Sequence, residues 1–300
     1  MREVDAATTT TSNALMRVSV YLPTKNRESL LRQAVSSVLA QTFGDFELIV
    51  VNDGSTDGTM DFLESEKSRD DRIKIINNEE SIGAPRSRNL ALQLAAGEFV
   101  TGIDDDDRFH PRRLGSFVEY WGILEEVGEV FSCIFSQDLV EENGVCISGV
   151  KPGAIQWQDL FFYNSIGNQI FARRETFLAA GLFDDQMPAW QDLDLFIRIL
   201  KQGGEAKLLD AALYTTNVDK RPDRISVGSK KRLLAAYRKL DQKWNDCPMV
   251  MRQGLYLQTF NRYYRFKPSI GDLISFFRMG VHLRTLKTLA GIYSRRAWRA

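Results

Sequence analysis

The sequence predicts an α/β domain: a mostly parallel central sheet flanked by helices, with a helical C-terminal extension. Three observations point there. Between Val18 and about Phe109, short β-rich runs alternate with amphipathic helical windows, which is the pattern of βαβ units. Polar residues gather where those runs end, as on the ligand-binding rim of an open parallel sheet. Beyond Ser229 the apolar spacing is helical throughout.

The first 16 residues, "MREVDAATTTTSNALM", hold no apolar run of signal-peptide length and read as a disordered lead-in. Strands are expected at "RVSVYLP", "FELIVVN", "IKIIN" and "EFVTGID". Between them "ESLLRQAVSSVLAQ" carries a helical stripe of Leu30, Leu31, Ala34, Val35, Val38 and Leu39. "APRSRNLALQLAAG" carries another from Ala84, with Gly97 as its stop. The strand ends then deliver "PTKNR", "NDGSTD", "NNEESIG" and "DDDD" to one rim.

After Pro111 we expect a helix from Leu114 to Glu126, a strand near Val130 to Ser136, a strand pair near Gly144 to Gly149, and the strand "NQIFARR". In "WQDLDLFIRILKQGG", Leu193, Phe196, Ile197 and Leu200 make one buried stripe and Gly203-Gly204 ends the helix. No Pro/Gly-rich linker divides the chain. Residues 17–228 are therefore expected as one continuous domain with halves 17–109 and 110–228, and residues 229–300 as its extension.

With 44% hydrophobic residues, the 300-residue chain can bury a full core. Its 39 basic and 39 acidic residues cancel, which gives no indication of a nucleic-acid partner. Cys133, Cys146 and Cys247 show no CxxC spacing; they fit a reducing compartment and small core positions. No window reaches 18 uncharged apolar residues, so no membrane span is expected and the protein is placed in the cytoplasm.

The acidic run in "VTGIDDDDRFHP" carries the first chemistry. On a strand-like backbone, side chains at i and i+2 point the same way, so Asp104 and Asp106 can converge on one hard cation. Mg2+ or Mn2+ takes only one or two protein carboxylates and completes its shell with water and phosphate oxygens, which points to a nucleotide diphosphate. A calcium loop would need a ligand and a glycine where Arg108 and Phe109 stand. The structural alternative is a solvated acidic turn whose last member, Asp107, caps a following helix. "NDGSTDGT" is a turn-rich loop in which Ser55 or Asp57 can cap the next helix; it fits neither a phosphate-binding P-loop nor a dinucleotide fingerprint.

"VSVYLPTKNR", "ELIVVNDGSTDGT", "GAPRSRNLALQLAAGEFVTGIDDDDRFHP" and "GLFDD…WQDLDLFIRI", in this order from about Val18 to Leu200, together resemble the family 2 glycosyltransferases. These are inverting enzymes of the GT-A fold that use nucleotide-diphospho-sugars. The resemblance implies that Pro23 and Thr24 pack against a base, with Asn26 and Arg27 beside them on the nucleotide side, and that Asp53 hydrogen-bonds uracil. It implies a nucleotide-side role for Arg88, a ribose and metal-shell position for Asp104 and Asp105, and Asp106 as direct ligand of Mn2+ or Mg2+. Asp192 is implied as general base; Gln191 departs from the family's usual glutamate. Asn168 and Gln169 fall where the donor sugar is lined, Trp190 where an acceptor ring stacks or a hydrophobic staple sits, and Arg224 in an acceptor loop that can reach the pyrophosphate.

A carboxylate in a first helical turn is expected to stay ionised beside the exposed N–H groups, ready to take a proton. Asp194, two residues on, is expected to be structural or an arginine's partner. From Asn261 to Ala300 nine Lys/Arg face one acid, Asp272, among many aromatics. That composition suits either an anionic membrane surface or a packed helical pair. The implied activity moves a hexose from a UDP-sugar to a lipid-pyrophosphate-linked or lipopolysaccharide glycan, peripheral on the inner face of the cytoplasmic membrane. The competing reading is a glycan- or nucleotide-binding pseudoenzyme, motivated by Gln191.

Overall fold

The structure, a computed structural model, describes residues 18–142, 144–218, 229–264 and 266–293. Its sheet begins with four parallel strands, β1 (Val18–Thr24), β2 (Phe46–Asp53), β3 (Ile73–Asn78) and β4 (Phe99–Gly102), where the sequence places them. Every residue of β1 and β2 is buried, as in strands covered on both faces. Alternation divides β1: Val18, Val20 and Leu22 pack under α1 (Glu28–Leu39), while Tyr21 turns to the opposite core below α3 (Ala84–Leu94). α2 (Thr59–Lys67) joins the α1 side through Phe62 and Leu63.

Beyond β4 lie the short β5 (Arg108–Phe109), α4 (Arg113–Glu126), β6 (Phe131–Glu142), β7 (Val145–Ser148), β8 (Ala154–Ile155), β9 (Phe171–Arg173), α5 (Arg174–Ala179), α6 (Gln191–Gly203) and β10 (Glu205–Asn217). The path through the sheet is β3-β2-β1-β4-β9-β6-β10-β5, with β7 on β6 and β8 on β10. β9 is antiparallel to β4 and β6, whereas β6 and β10 run parallel, so the second half is mixed. β10 is absent from the sequence-based expectation, because "EAKLLDAALYTTN" is rich in helix formers; pairing with β6 overrides that propensity.

Some expected details differ. α3 stops at Leu94, and Gly97 does not cap it; its N–H instead donates to Ser19 Oγ at 2.9 Å. Cys133 is buried, but Cys146 is exposed on β7. Gly204, at φ 100°, does cap α6.

The C-terminal extension is helical as expected: α7 (Lys230–Lys243), α8 (Met249–Gln258), α9 (Ile270–Arg278) and α10 (Leu283–Tyr293). Ala236, Leu240, Trp244, Met251 and Leu255 share one core with Phe177 and Phe196, so α7 and α8 are fused to the sheet domain. α9 and α10 pack on α8 through Phe276, Leu286 and Leu289 in a smaller cluster. Among the described residues no helix is long and apolar enough to cross a membrane.

Candidate active site

A cavity of about 790 Å³ opens at the C-terminal ends of β1, β2 and β4. Its wall gathers Pro23, Thr24, Asn26 and Arg27 from the end of β1, Asp53 from β2, Arg88 from α3, and the four aspartates. Asn168, Trp190, Gln191 and Asp192 close it from the second half. Arg224, the N-terminal lead-in and residues 294–300 lie outside the described residues.

The loop after β2 explains its own sequence. Both Asp53 oxygens are occupied: Asn78 Nδ2 (3.1 Å) and Ile82 N (2.8 Å) donate to one, Ser81 Oγ (2.7 Å) and Gly83 N (2.9 Å) to the other. Burial alone would raise this carboxyl, but those four donors outweigh it and hold it below the ordinary range. A carboxylate has about four lone-pair positions, so direct uracil recognition by Asp53 requires one bond to exchange. Gly54 must be glycine, since φ is 68° and a Cβ would lie 2.8 Å from Ser81 N. Asp57 accepts from Thr59 N (3.1 Å) and Glu28 N (3.2 Å), tying together the starts of α2 and α1.

The aspartate run corrects the strand-based geometry. β4 ends at Gly102, and residues 104–107 form a turn in which Asp107 N–H donates to Asp104 C=O at 3.1 Å. The four side chains consequently have different partners. Asp104 accepts from Arg88 Nη2 (2.9 Å), Gln169 Nε2 (3.4 Å) and Asn168 Nδ2 (3.3 Å). Asp105 accepts from Thr24 Oγ1 and Arg27 Nη1, each at 2.9 Å; burial pushes its carboxyl up to about 6, with the Arg27 cation opposing. Asp106 lies 3.8 Å from Arg27. Asp107 caps no helix: it accepts from Tyr214 Oη (2.7 Å) and Asn217 N (3.0 Å), fastening the turn to β10. Burial, then the charges of Asp104 and Asp106, raises it well above a normal carboxylate.

Gln169 stands behind this turn, away from the cavity wall, accepting from Tyr21 Oη at 2.9 Å while it braces Asp104. Arg88 is a further link between the two halves. It stacks over Phe183, binds Asp104, reaches Gln191 Oε1 at 3.5 Å, and has Nη1 3.9 Å from Asp192 Oδ1. Asp192 Oδ1 is buried without a hydrogen bond. Burial raises its carboxyl to about 6, Arg88 pulling it down and Asp104 pushing it up. Burial thus outweighs the helix N-terminus, and the group is poised close to neutral pH. Asp194 is fully buried and binds Arg198 (2.8 Å) and Lys243 (2.8 Å), the structural partner expected.

α6 begins from Trp190, whose φ of 60° is a left-handed conformation and whose side chain packs against the main core. Its indole N–H donates to Tyr264 Oη at 2.6 Å. Tyr264, Tyr263 and Asn261 therefore belong to the cavity wall, together with Tyr163 and with Arg232 of α7, which donates to Pro188 O. Sequence reasoning missed these: Tyr163, Arg232 and Asn261 stand in no motif, and the signal of Tyr263 and Tyr264, tyrosines in a basic tail, reads equally well as interfacial.

Whether a divalent ion fits depends on the acids. Among the described residues no three His, Cys, Asp or Glu side chains converge as in a protein-built cage. One or two carboxylates on an open wall suit Mg2+ or Mn2+ completed by phosphates and water. Asp104 and Asp106 both stand on the cavity wall, and Asp104 already accepts three donors.

Residues 19–173 match the family model "Glycosyl transferase family 2". WcaA of Escherichia coli K12, named for colanic acid biosynthesis, is 34% identical over 219 residues, covering 71% of this chain and 77% of that protein. Staphylococcus aureus TarS 1-349 in complex with UDP-GlcNAc superposes with a TM-score of 0.63 at 20% identity, over 92% of this chain and 79% of that one. The mannosyltransferase PcManGT of Pyrobaculum calidifontis, in complex with GDP-Man and Mn2+, gives 0.62 at 18% identity, over 94% and 82%. The motifs, the mixed sheet and the family match agree: this chain belongs to the family 2 glycosyltransferases and has their nucleotide-sugar transferase fold.

Proposed function

We propose that this glycosyltransferase moves a hexose from a UDP-sugar (UDP-glucose, UDP-galactose or an N-acetylated relative) to a hydroxyl of a lipid-linked or lipopolysaccharide glycan, with inversion. The observation that carries the reading is one cavity wall holding Asp106, Arg88 and Asp192, with Arg88 bridging the acid turn and the start of α6.

Asp192 takes the acceptor hydroxyl's proton while that oxygen bonds to the sugar's anomeric carbon. The bond from that carbon to the diphosphate oxygen breaks in the same displacement, and UDP departs with the electron pair. An aspartate near pKa 6 is a weak base for an alcohol, so the proton leaves late. Mg2+ or Mn2+, held by Asp106 with Asp104 as the second carboxylate, would neutralise charge on the departing diphosphate. Arg27 and Arg88 add positive charge on the same wall.

Base stacking falls to Pro23 and Thr24. Asn168 is positioned to meet donor hydroxyls, and Gln169 acts through Asp104. Tyr163 and Tyr263, 59% and 46% exposed, offer acceptor rings an aromatic surface beside Trp190. The polysaccharide setting follows the name of the WcaA relative, and a lipid-linked acceptor would suit a peripheral position on the cytoplasmic membrane.

UDP release from a donor panel with manganese tests the proposal. One donor should be consumed, and Asp106→Ala should lower the rate by about 100-fold or more. Release from no donor would leave the binding-only alternative; a rate untouched by the substitution would remove the metal role.

A further inference from the structure

α9 carries one wide apolar stripe, of which α8 covers only part. Leu273 and Phe276 turn inward onto α8, and Phe276 is fully buried. Along its outer flank Ile270, Ile274 and Phe277, spaced i, i+4 and i+7, are 78%, 49% and 47% exposed. Val281 and Leu283, which follow α9 in the chain, are each 70% exposed. A stripe wider than the contact that buries it leaves an apolar flank, and such a flank marks a face that something covers.

The charges around it identify the cover. Arg278 and Lys287 are exposed on α9 and α10, whereas the Arg284 guanidinium is engaged by Asp159 at 3.0 Å and the Phe162 ring. Between residues 266 and 293 the sequence has a single acid, Asp272. That acid is turned inward, closing the α9 capping box with Ser269 and pairing with Lys230. An apolar flank beside Arg278 and Lys287, on helices with no outward acid of their own, complements an anionic bilayer, where aliphatic side chains enter the acyl boundary and cations meet headgroups. A second copy of the chain fits poorly, because a two-fold contact would set two basic faces against each other.

We propose that the outer flank of α9, with Val281 and Leu283 after it, is a docking surface for an anionic lipid bilayer. It deepens the membrane-peripheral reading above, and rests on that reading only for the direction from which the acceptor arrives. The chain joining the cavity wall at Tyr264 to this face is short, so docking here presents the cavity close to the bilayer.

The test uses the full chain and sedimentation with phosphatidylcholine vesicles containing or lacking phosphatidylglycerol. Truncation is unsuitable, since Gln253 of α8 donates to Phe276 O and Gly280 O and would lose both partners. The wild type should bind the anionic vesicles and weaken as salt rises. Ile274→Glu with Phe277→Glu should reduce binding by about tenfold or more, without changing the thermal shift produced by UDP. Arg278→Glu with Lys287→Glu should do the same through charge, and stands in if the first pair lowers folding yield. Wild-type protein that ignores anionic vesicles overturns the proposal, as do variants that bind like it. A wild-type dimer that the first pair converts to monomer would assign the face to a second copy instead. UDP release enters none of these readouts, so failure here leaves the transferase reading untouched.

Discussion

Replacing Arg88 with glutamine tests how the site sets its base. Arg88 has one Nη on Asp104 at 2.9 Å and the other 3.9 Å from Asp192. Asp192 stands at about 6 because burial raises it, Arg88 lowers it and Asp104 raises it again. A base acts when deprotonated, so wild-type turnover should fall as pH drops through about 6. Removing the guanidinium leaves burial and Asp104 with little to oppose them. A cation at this range lowers a carboxylate by about 1–3 units, so the acid limb of Arg88→Gln should move up to between about 7 and 9. At neutral pH the ionised fraction would fall from about nine-tenths to somewhere between about half and one-hundredth. The assay is turnover at saturating donor, by UDP release, from about pH 5 to about pH 10. Activity should recover at the alkaline end. A uniform loss, with the limb still near 6, would refute this tuning and leave Arg88 as a substrate contact alone.

Asp53→Ala should release the four donors it gathers, costing about 3 kcal/mol or more in chemical denaturation and weakening UDP binding in calorimetry. Because the folded carboxyl is held low, its stabilisation is complete above the unfolded value near 4 and disappears as pH falls through the lower folded value; acid titration of the wild type should show a transition that the alanine variant lacks. Tyr214→Phe strips a buried hydrogen bond from Asp107 and should destabilise by about 1–3 kcal/mol, read as a lower melting temperature. Gly102→Ala would drive a methyl into Tyr21 and Gln169, and should cost about 1–3 kcal/mol while loosening the support of Asp104.

The nucleotide half was legible because its signals are local. β1 to β4 are short apolar runs bounded by turn residues, and α1 and α6 show clean apolar stripes; both patterns survive in the structure. The motifs at the ends of β1, β2 and β4 named residues of one cavity wall, since parallel strands end on a common rim, whereas Gln169 lies behind it. What escaped was set by distant contacts. β10 is a strand because β6 lies beside it, although its alanines, leucines and lysine favour helix. The aspartates were read by strand alternation, but the chain had already turned, so Asp105 and Asp107 found buried partners at Thr24 and Tyr214 that no spacing rule reveals. Tyr263 and Tyr264 were legible only as aromatics in a basic tail; their place in the cavity depends on how α7 and α8 fold back onto the sheet domain.

The central claim is that Asp192 carries the acceptor's proton, and Asp192→Asn tests it most directly, because asparagine keeps the shape and removes the base. With the donor that the panel identifies, UDP release should fall by about 10²–10⁴-fold while UDP affinity stays within about twofold of wild type. Turnover near the wild-type level would contradict the account.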